Sequence, residues 1–173
     1  SLLETKILAN SVISDASRGA KFMSCDLKDF FLATPMERAE YMKILYKYIP
    51  DDIRAKYKLD EKVTSDNFVY VKIKKGMYGL KQAAVLAWDN LVSNLSKHGY
   101  RPIPHSIAMW EHETFPTKFC LCVDDFGIKN YDKSHADHLL NALSKNYIYT
   151  VDWSGNHFCG LTFNWQYSSG YVD

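Results

Sequence analysis

Hydrophobic positions along the chain fall into short runs whose period switches between helical and strand-like. Leu3, Ile7, Leu8 and Val12 recur on one helical face over residues 1–19, and Gly19 marks the stop. Lys21 to Leu27 reads as a strand containing Cys25-Asp26, followed by a short turn over 28–35 closed by Pro35. Strands are predicted at Tyr41–Tyr46 and Phe68–Ile73, with a polar stretch and a short helix at Asp51–Tyr57 between them. Lys74 to Gly79 is a loop with two glycines. Residues 81–98 give the clearest helix, with Ala84, Leu86, Ala87, Leu91 and Leu95 at helical spacing. Strands follow at Ser106–Glu111, Lys118–Asp124 and Phe126–Lys129, then a helix over Asp132–Asn146 with Ala136, Leu139, Leu140 and Leu143 facing inward. Tyr147–Trp153, Phe158–Trp165 and the stretch from Tyr171 complete the strands. Without strict βαβ alternation, the pattern predicts an α+β fold: an antiparallel sheet with helices on one face.

Composition adds few constraints. A 173-residue chain with 47% hydrophobic residues can build one domain with a real core. No apolar run reaches the roughly 18 residues of a membrane span. No basic segment followed by an apolar one marks a secretion signal, so the expected location is intracellular: cytoplasm, virus-like particle or nucleus. Cys25, Cys120, Cys122 and Cys159 sit in apolar, strand-like contexts and read as reduced core residues. Cys120 and Cys122 alternate and so share a face. The start reads as mid-helix with no initiator Met, so a fragment of a longer protein is expected. Net charge is +1, but residues 33–82 carry 11 Lys/Arg against 7 Asp/Glu and the remainder 10 against 13. A basic lobe beside an acidic one suits a nucleic-acid enzyme, although ordinary solvated surfaces produce the same imbalance.

The chemistry concentrates at Asp124-Asp125, two carboxylates inside the otherwise apolar run Phe119–Ile128. Burying unpaired charge is costly, so a cation is expected there. The flanking strands predict a tight β-hairpin with both acids at its tip. Asp26, at the end of an apolar strand, is the natural third carboxylate. Paired strands would let Asp26 and Asp124 share two Mg²⁺ ions, the arrangement of two-metal phosphoryl transfer, with Mn²⁺ as a substitute. The competing reading of Asp-Asp is simple turn chemistry. His135 and His138 lie on a helix without further ligands at useful spacing and read as helix-surface histidines, not a zinc site.

Three boxes decide between these readings. Asp26-Leu-Lys-Asp-Phe-Phe-Leu32, Lys75-Gly-Met-Tyr-Gly-Leu-Lys-Gln-Ala83 and Cys122-Val-Asp-Asp125 stand in the order and spacing of motifs A, B and C of reverse transcriptases. The match resembles most closely the polymerase domains of copia-type LTR retrotransposon polyproteins. Thr34-Pro-Met-Glu37, Tyr41-Met-Lys43, His135-Ala-Asp-His138 and Phe158-Cys-Gly-Leu161 also look like retroelement phrases, and the resemblance runs from about residue 20 onward. Two positions depart from it: the Tyr before Val-Asp-Asp is Cys122 here, and the Pro after Gln-Ala is Ala84.

The resemblance implies a polymerase palm plus part of the fingers, incomplete at both ends: palm in 1–32 and 83–173, a fingers portion and motif B loop in 33–82. It implies RNA-directed DNA polymerase activity, with dNTPs added to a primer on an RNA or DNA template. Asp26 and Asp124 would hold metal with the Leu27 carbonyl, and Asp125 would be the third acid. The amides of Asp29 and Phe30 would hold triphosphate oxygens, Phe31 would be the steric gate against a 2′-hydroxyl, and Gln82 would contact the nucleotide beside the template base. Read without the motif, Phe31 is a core residue and Gln82 a capping or solvent-exposed one. Phe158, Cys159, Gly160 and Leu161 fall where the family grips the primer. Upstream fingers, thumb, RNase H and integrase regions of the parent polyprotein would be separate partners, so these residues alone are expected to be inactive. The alternatives are a decayed remnant with residual nucleic-acid binding, and a metal-dependent nuclease or nucleotidyl cyclase, against which the Gly-Tyr-Gly loop and Gln82 argue.

Overall fold

Alternation along the strands decides what each layer of the molecule contains. In the computed structural model, which describes residues 2–173, β1 (Lys21–Lys28) buries Met23, Cys25 and Leu27 on one side and Phe22 on the other. Two further strands come early: β2 (Pro35–Leu45) and β3 (Phe68–Lys75) form a separate antiparallel ribbon. The main sheet adds β4 (Tyr100–Pro102), β5 (Met109–His112), β6 (Lys118–Cys122), β7 (Asp125–Asn130) and β8 (Ile148–Asp152). Its order is β4-β5-β6-β7-β1-β8, and every neighbouring pair is antiparallel. Among the described residues, four α-helices complete a mixed α+β architecture.

Helices cover both faces of this sheet, not one. α3 (Lys81–Ser96) and α4 (Lys133–Ser144) pack Ala87, Leu91, Leu95, Leu139 and Leu143 against Trp110, Phe119 and Phe126. α1 (Leu2–Ser14) packs Leu8 and Val12 on the opposite face, against Phe22, Met109 and Cys120. The reason lies in β6, where Phe119 and Leu121 are buried on one side and Cys120 on the other, so both faces exclude water. Leu3 and Ile7, expected on the same helical face, stay exposed. Glu4 turns inward instead, and its Oε1 accepts the N–H groups of Ile107 (2.8 Å) and Ala108 (3.1 Å) and the Ser106 hydroxyl.

That pinned loop shortens the expected 106–111 strand to Met109–His112. β2 is conversely longer than expected, reaching back to Pro35 through an irregularity between Pro35 and Glu40. The expected strand Phe158–Trp165 is two hairpins, β9 (His157–Phe158) with β10 (Leu161–Thr162), and β11 (Trp165–Gln166) with β12 (Tyr171–Val172). Both fold onto Phe22, whose ring lies 6.0 Å from Phe158 and 4.9 Å from Trp165. α4 begins where Asp132 accepts the Ser134 N–H at 2.7 Å, an N-cap. Its histidines are half-buried, not surface groups: His138 Nδ1 is 3.0 Å from the Tyr100 hydroxyl and His135 stacks on Phe115. All four cysteines are free. No helix among the described residues is long and apolar enough to cross a membrane.

Candidate active site

The β6–β7 hairpin closes with Cys122 opposite Asp125, leaving Val123 and Asp124 as its two loop residues. The acids therefore do not share the tip. Asp124 belongs to the turn, while Asp125 is the first residue of β7. Val123 sits at φ 61, a left-handed conformation that a β-branched residue rarely adopts. β1 runs beside β7 with Asp26 directly opposite Asp125, so both side chains leave the same face. The Leu27 N–H donates to the Asp124 carbonyl at 3.0 Å and ties the turn to β1. Residues nearly one hundred positions apart in sequence thus meet at one end of the sheet.

Electrostatics at this end are unfavourable. Burial pushes the Asp125 carboxyl above its usual range, and Asp26 and Asp124 push it in the same direction. A backbone hydrogen bond from Cys159 offsets part of this. Cys25, on the opposite face of β1, is pushed up to about 12 by burial and then by Asp26 and Asp125. Among the described residues, no ion pair includes Asp26, Asp124 or Asp125. Nor do three or more His, Cys, Asp or Glu side chains form a group able to hold a metal ion by themselves. The donor chemistry nevertheless suits Mg²⁺, which takes hard oxygens and is usually held by one or two carboxylates plus substrate phosphates. Repelled, unneutralised carboxylates of this kind are where such an ion would lower the energy.

Tyr78 joins the site, a residue that the sequence presents only as part of the loop over residues 74–79. Its hydroxyl donates to Asp124 Oδ2 at 2.6 Å, which pushes its own ionisation up to about 12 and keeps it a donor. Its ring meets Phe31 edge-on with centroids 4.6 Å apart. Phe31 is buried in the 3₁₀ turn Phe30–Ala33, entered through Asp29 at φ 53, so the segment expected to present backbone amides is a tight turn. Phe30 packs beside Phe31 and on Tyr147. Gly76 shows why the loop needs glycine: a Cβ there would lie 2.7 Å from the Phe31 carbonyl oxygen. Its N–H donates to the Thr34 carbonyl at 2.9 Å. Gln82, in the first turn of α3, has its Oε1 buried without a hydrogen-bond partner.

The second hairpin reaches the same acids. Asp26 and Asp125 line a cleft of about 340 Å³ with Ser24, Phe158, Cys159 and Gly160. Cys159 and Gly160 form a two-residue turn with φ 49 and 73, between paired Phe158 and Leu161. Phe158 is buried as the anchor of this hairpin, and Leu161 is exposed. In comparisons with known proteins, no family model, no curated protein and no solved structure matches this chain. The site therefore stands on its own geometry: Asp26 and Asp125 share a cleft with the Cys159-Gly160 turn, Tyr78 joins Asp124 to Phe31, and the Leu27–Asp124 backbone bond ties the hairpin turn to β1.

Proposed function

We propose that the chain is the palm and part of the fingers of a retroelement reverse transcriptase, transferring nucleotides from dNTPs to a primer on an RNA or DNA template. The observation that carries this reading is the register of Asp26 against Asp125, with Asp124 in the adjoining turn. Acids from two sequence-remote boxes converge, and no protein cation neutralises them among the described residues. Asp26 and Asp124, with the Leu27 carbonyl, are the residues that would hold two Mg²⁺ ions. When bound, these ions would supply activation of the primer 3′-oxygen and charge stabilisation on the leaving pyrophosphate.

The chain's own groups then take positioning roles. Phe31, held by Tyr78, stands as the gate against a ribose 2′-hydroxyl. The turn at Asp29-Phe30 offers amides to triphosphate oxygens. Gln82 brings a buried amide oxygen in need of a donor, which a bound nucleotide can provide. The Phe158–Leu161 hairpin borders the cleft from the side where a primer end would lie.

The test is primer extension on poly(rA)/oligo(dT) with Mg²⁺, using the full gene product that contains these residues. Activity that Asp124→Asn abolishes is the expected result. Equal inactivity of wild type and Asp124→Asn would favour a decayed remnant instead.

A further inference from the structure

One face of the β2–β3 ribbon is used by the fold and the other is not. Ile44, Val69 and Val71 pack under α2 (Asp51–Tyr57) and the following 3₁₀ turn, against Ile49, Ile53 and Leu59. On the uncovered face the register sets Tyr41 opposite Lys72 and Lys43 opposite Tyr70. Rings and ammonium groups therefore alternate both along and across the strands. Tyr41 is 67% and Tyr70 58% exposed, and Lys74 extends the row. Lys43 is partly engaged, 2.7 Å from Asp66 and 4.0 Å from the Phe68 ring centroid. Among the described residues, no ion pair engages Lys72 or Lys74.

We propose that this face binds single-stranded nucleic acid, with bases stacking on Tyr41 and Tyr70 and phosphates meeting Lys72 and Lys74. Single strands are held without sequence preference by aromatic platforms interleaved with cations. An acidic peptide would use the lysines and leave both rings in water. A duplex keeps its bases stacked inside and cannot lay them on the tyrosines. The ribbon is rooted beside the acids: Pro35 pairs with Lys75, and Gly76 leads within two residues to Tyr78 on Asp124. A strand on this face is thus delivered toward the catalytic turn. This assignment deepens the polymerase reading and rests on it for why a single strand approaches from that side.

The experiment is fluorescence anisotropy of the full chain with fluorescein-labelled oligo(dT), at about 50 and 200 mM salt. Tyr41→Ala with Tyr70→Ala is expected to weaken binding at least about tenfold while leaving the salt dependence intact. Tyr→Phe at both positions should retain binding, because the ring and not the hydroxyl stacks. Lys72→Ala with Lys74→Ala should reduce the log–log salt slope by about 1.4, two single-strand phosphate contacts. Failure of wild type to bind oligo(dT), or binding indifferent to the tyrosine pair, overturns the proposal. Primer extension with tyrosine-independent binding would defeat this site and keep the polymerase reading. Tyrosine-dependent binding without Asp124-dependent extension would do the reverse.

Discussion

The two ends of β7 treat charge in opposite ways. At Asn130's end, Lys129 is buried, yet its ammonium lies 2.5 Å from Asp15 and within 2.6 and 2.9 Å of the Ser11 hydroxyl and carbonyl. Tyr131 and Arg18 also donate to Asp15, and the Lys129 hydrogen bond leads the effects that hold that carboxyl well below its usual range. Four residues away, Asp125 faces Asp26 with no cation paired to either among the described residues, on a strand entered through a strained Val123. The same sheet supplies complete neutralisation for a charge that locks α1 in place and none for charges at the turn. Where a fold can pair its charges and leaves three acids unpaired, the unpaired end is the one held ready for an external cation.

Substitutions test this contrast in order of expected effect. Lys129→Met removes the cation of the paired end and should destabilise the protein by on the order of 3 kcal/mol, read by chemical denaturation. Val123→Gly releases the left-handed strain at the other end and should instead raise stability by about 1 kcal/mol. Asp125→Asn should also stabilise, by roughly 0.5 kcal/mol in EDTA, because it removes like charge opposite Asp26. Its pH dependence is specific. The raised carboxyl of folded Asp125 takes its proton before the unfolded chain does near pH 3.9, so the penalty is full at neutral pH and fades on acidification. The advantage of Asp125→Asn should therefore be present at pH 7 and lost below about pH 4. Added Mg²⁺ should raise the melting temperature of wild type more than that of Asp125→Asn. Tyr78→Phe should be comparably mild and of opposite sign, about 0.5 kcal/mol less stable, with a larger Mg²⁺-induced shift because Asp124 is released. A stabilising Lys129→Met, or a destabilising Asp125→Asn, would erase the distinction between the two ends.

Much of the sheet was legible because its signals are local. The period-2 run of β3 and the helical spacing of Leu91 and Leu95 each reflect a single buried face. Asp26 and Asp124-Asp125 stood out as acids in apolar strands, and the fold does bring them together. What escaped depends on partners far along the chain. Lys129 in an apolar strand is the same kind of signal as Asp125, but Asp15 lies more than a hundred residues earlier. Tyr78 reads as an ordinary loop residue until its hydroxyl is seen on Asp124. The loop before β5 cannot be told from a strand without Glu4, which satisfies its amides from α1. Asp124 and Asp125 separate because the turn takes Val123 and Asp124, a one-residue choice of register that composition does not encode.

The position of β1 in the sheet has a consequence in time. Sequence-adjacent strands flank neither of its edges: β7 lies on one side and β8 on the other. During synthesis at about 5–20 residues per second, Asp26 waits roughly 5–20 seconds for Asp125 to appear. The Phe22–Cys25 stretch spends that interval with unpaired edges and apolar faces open to water. The acid site therefore cannot exist until long after β1 has been made, and the nascent chain must stay soluble without it.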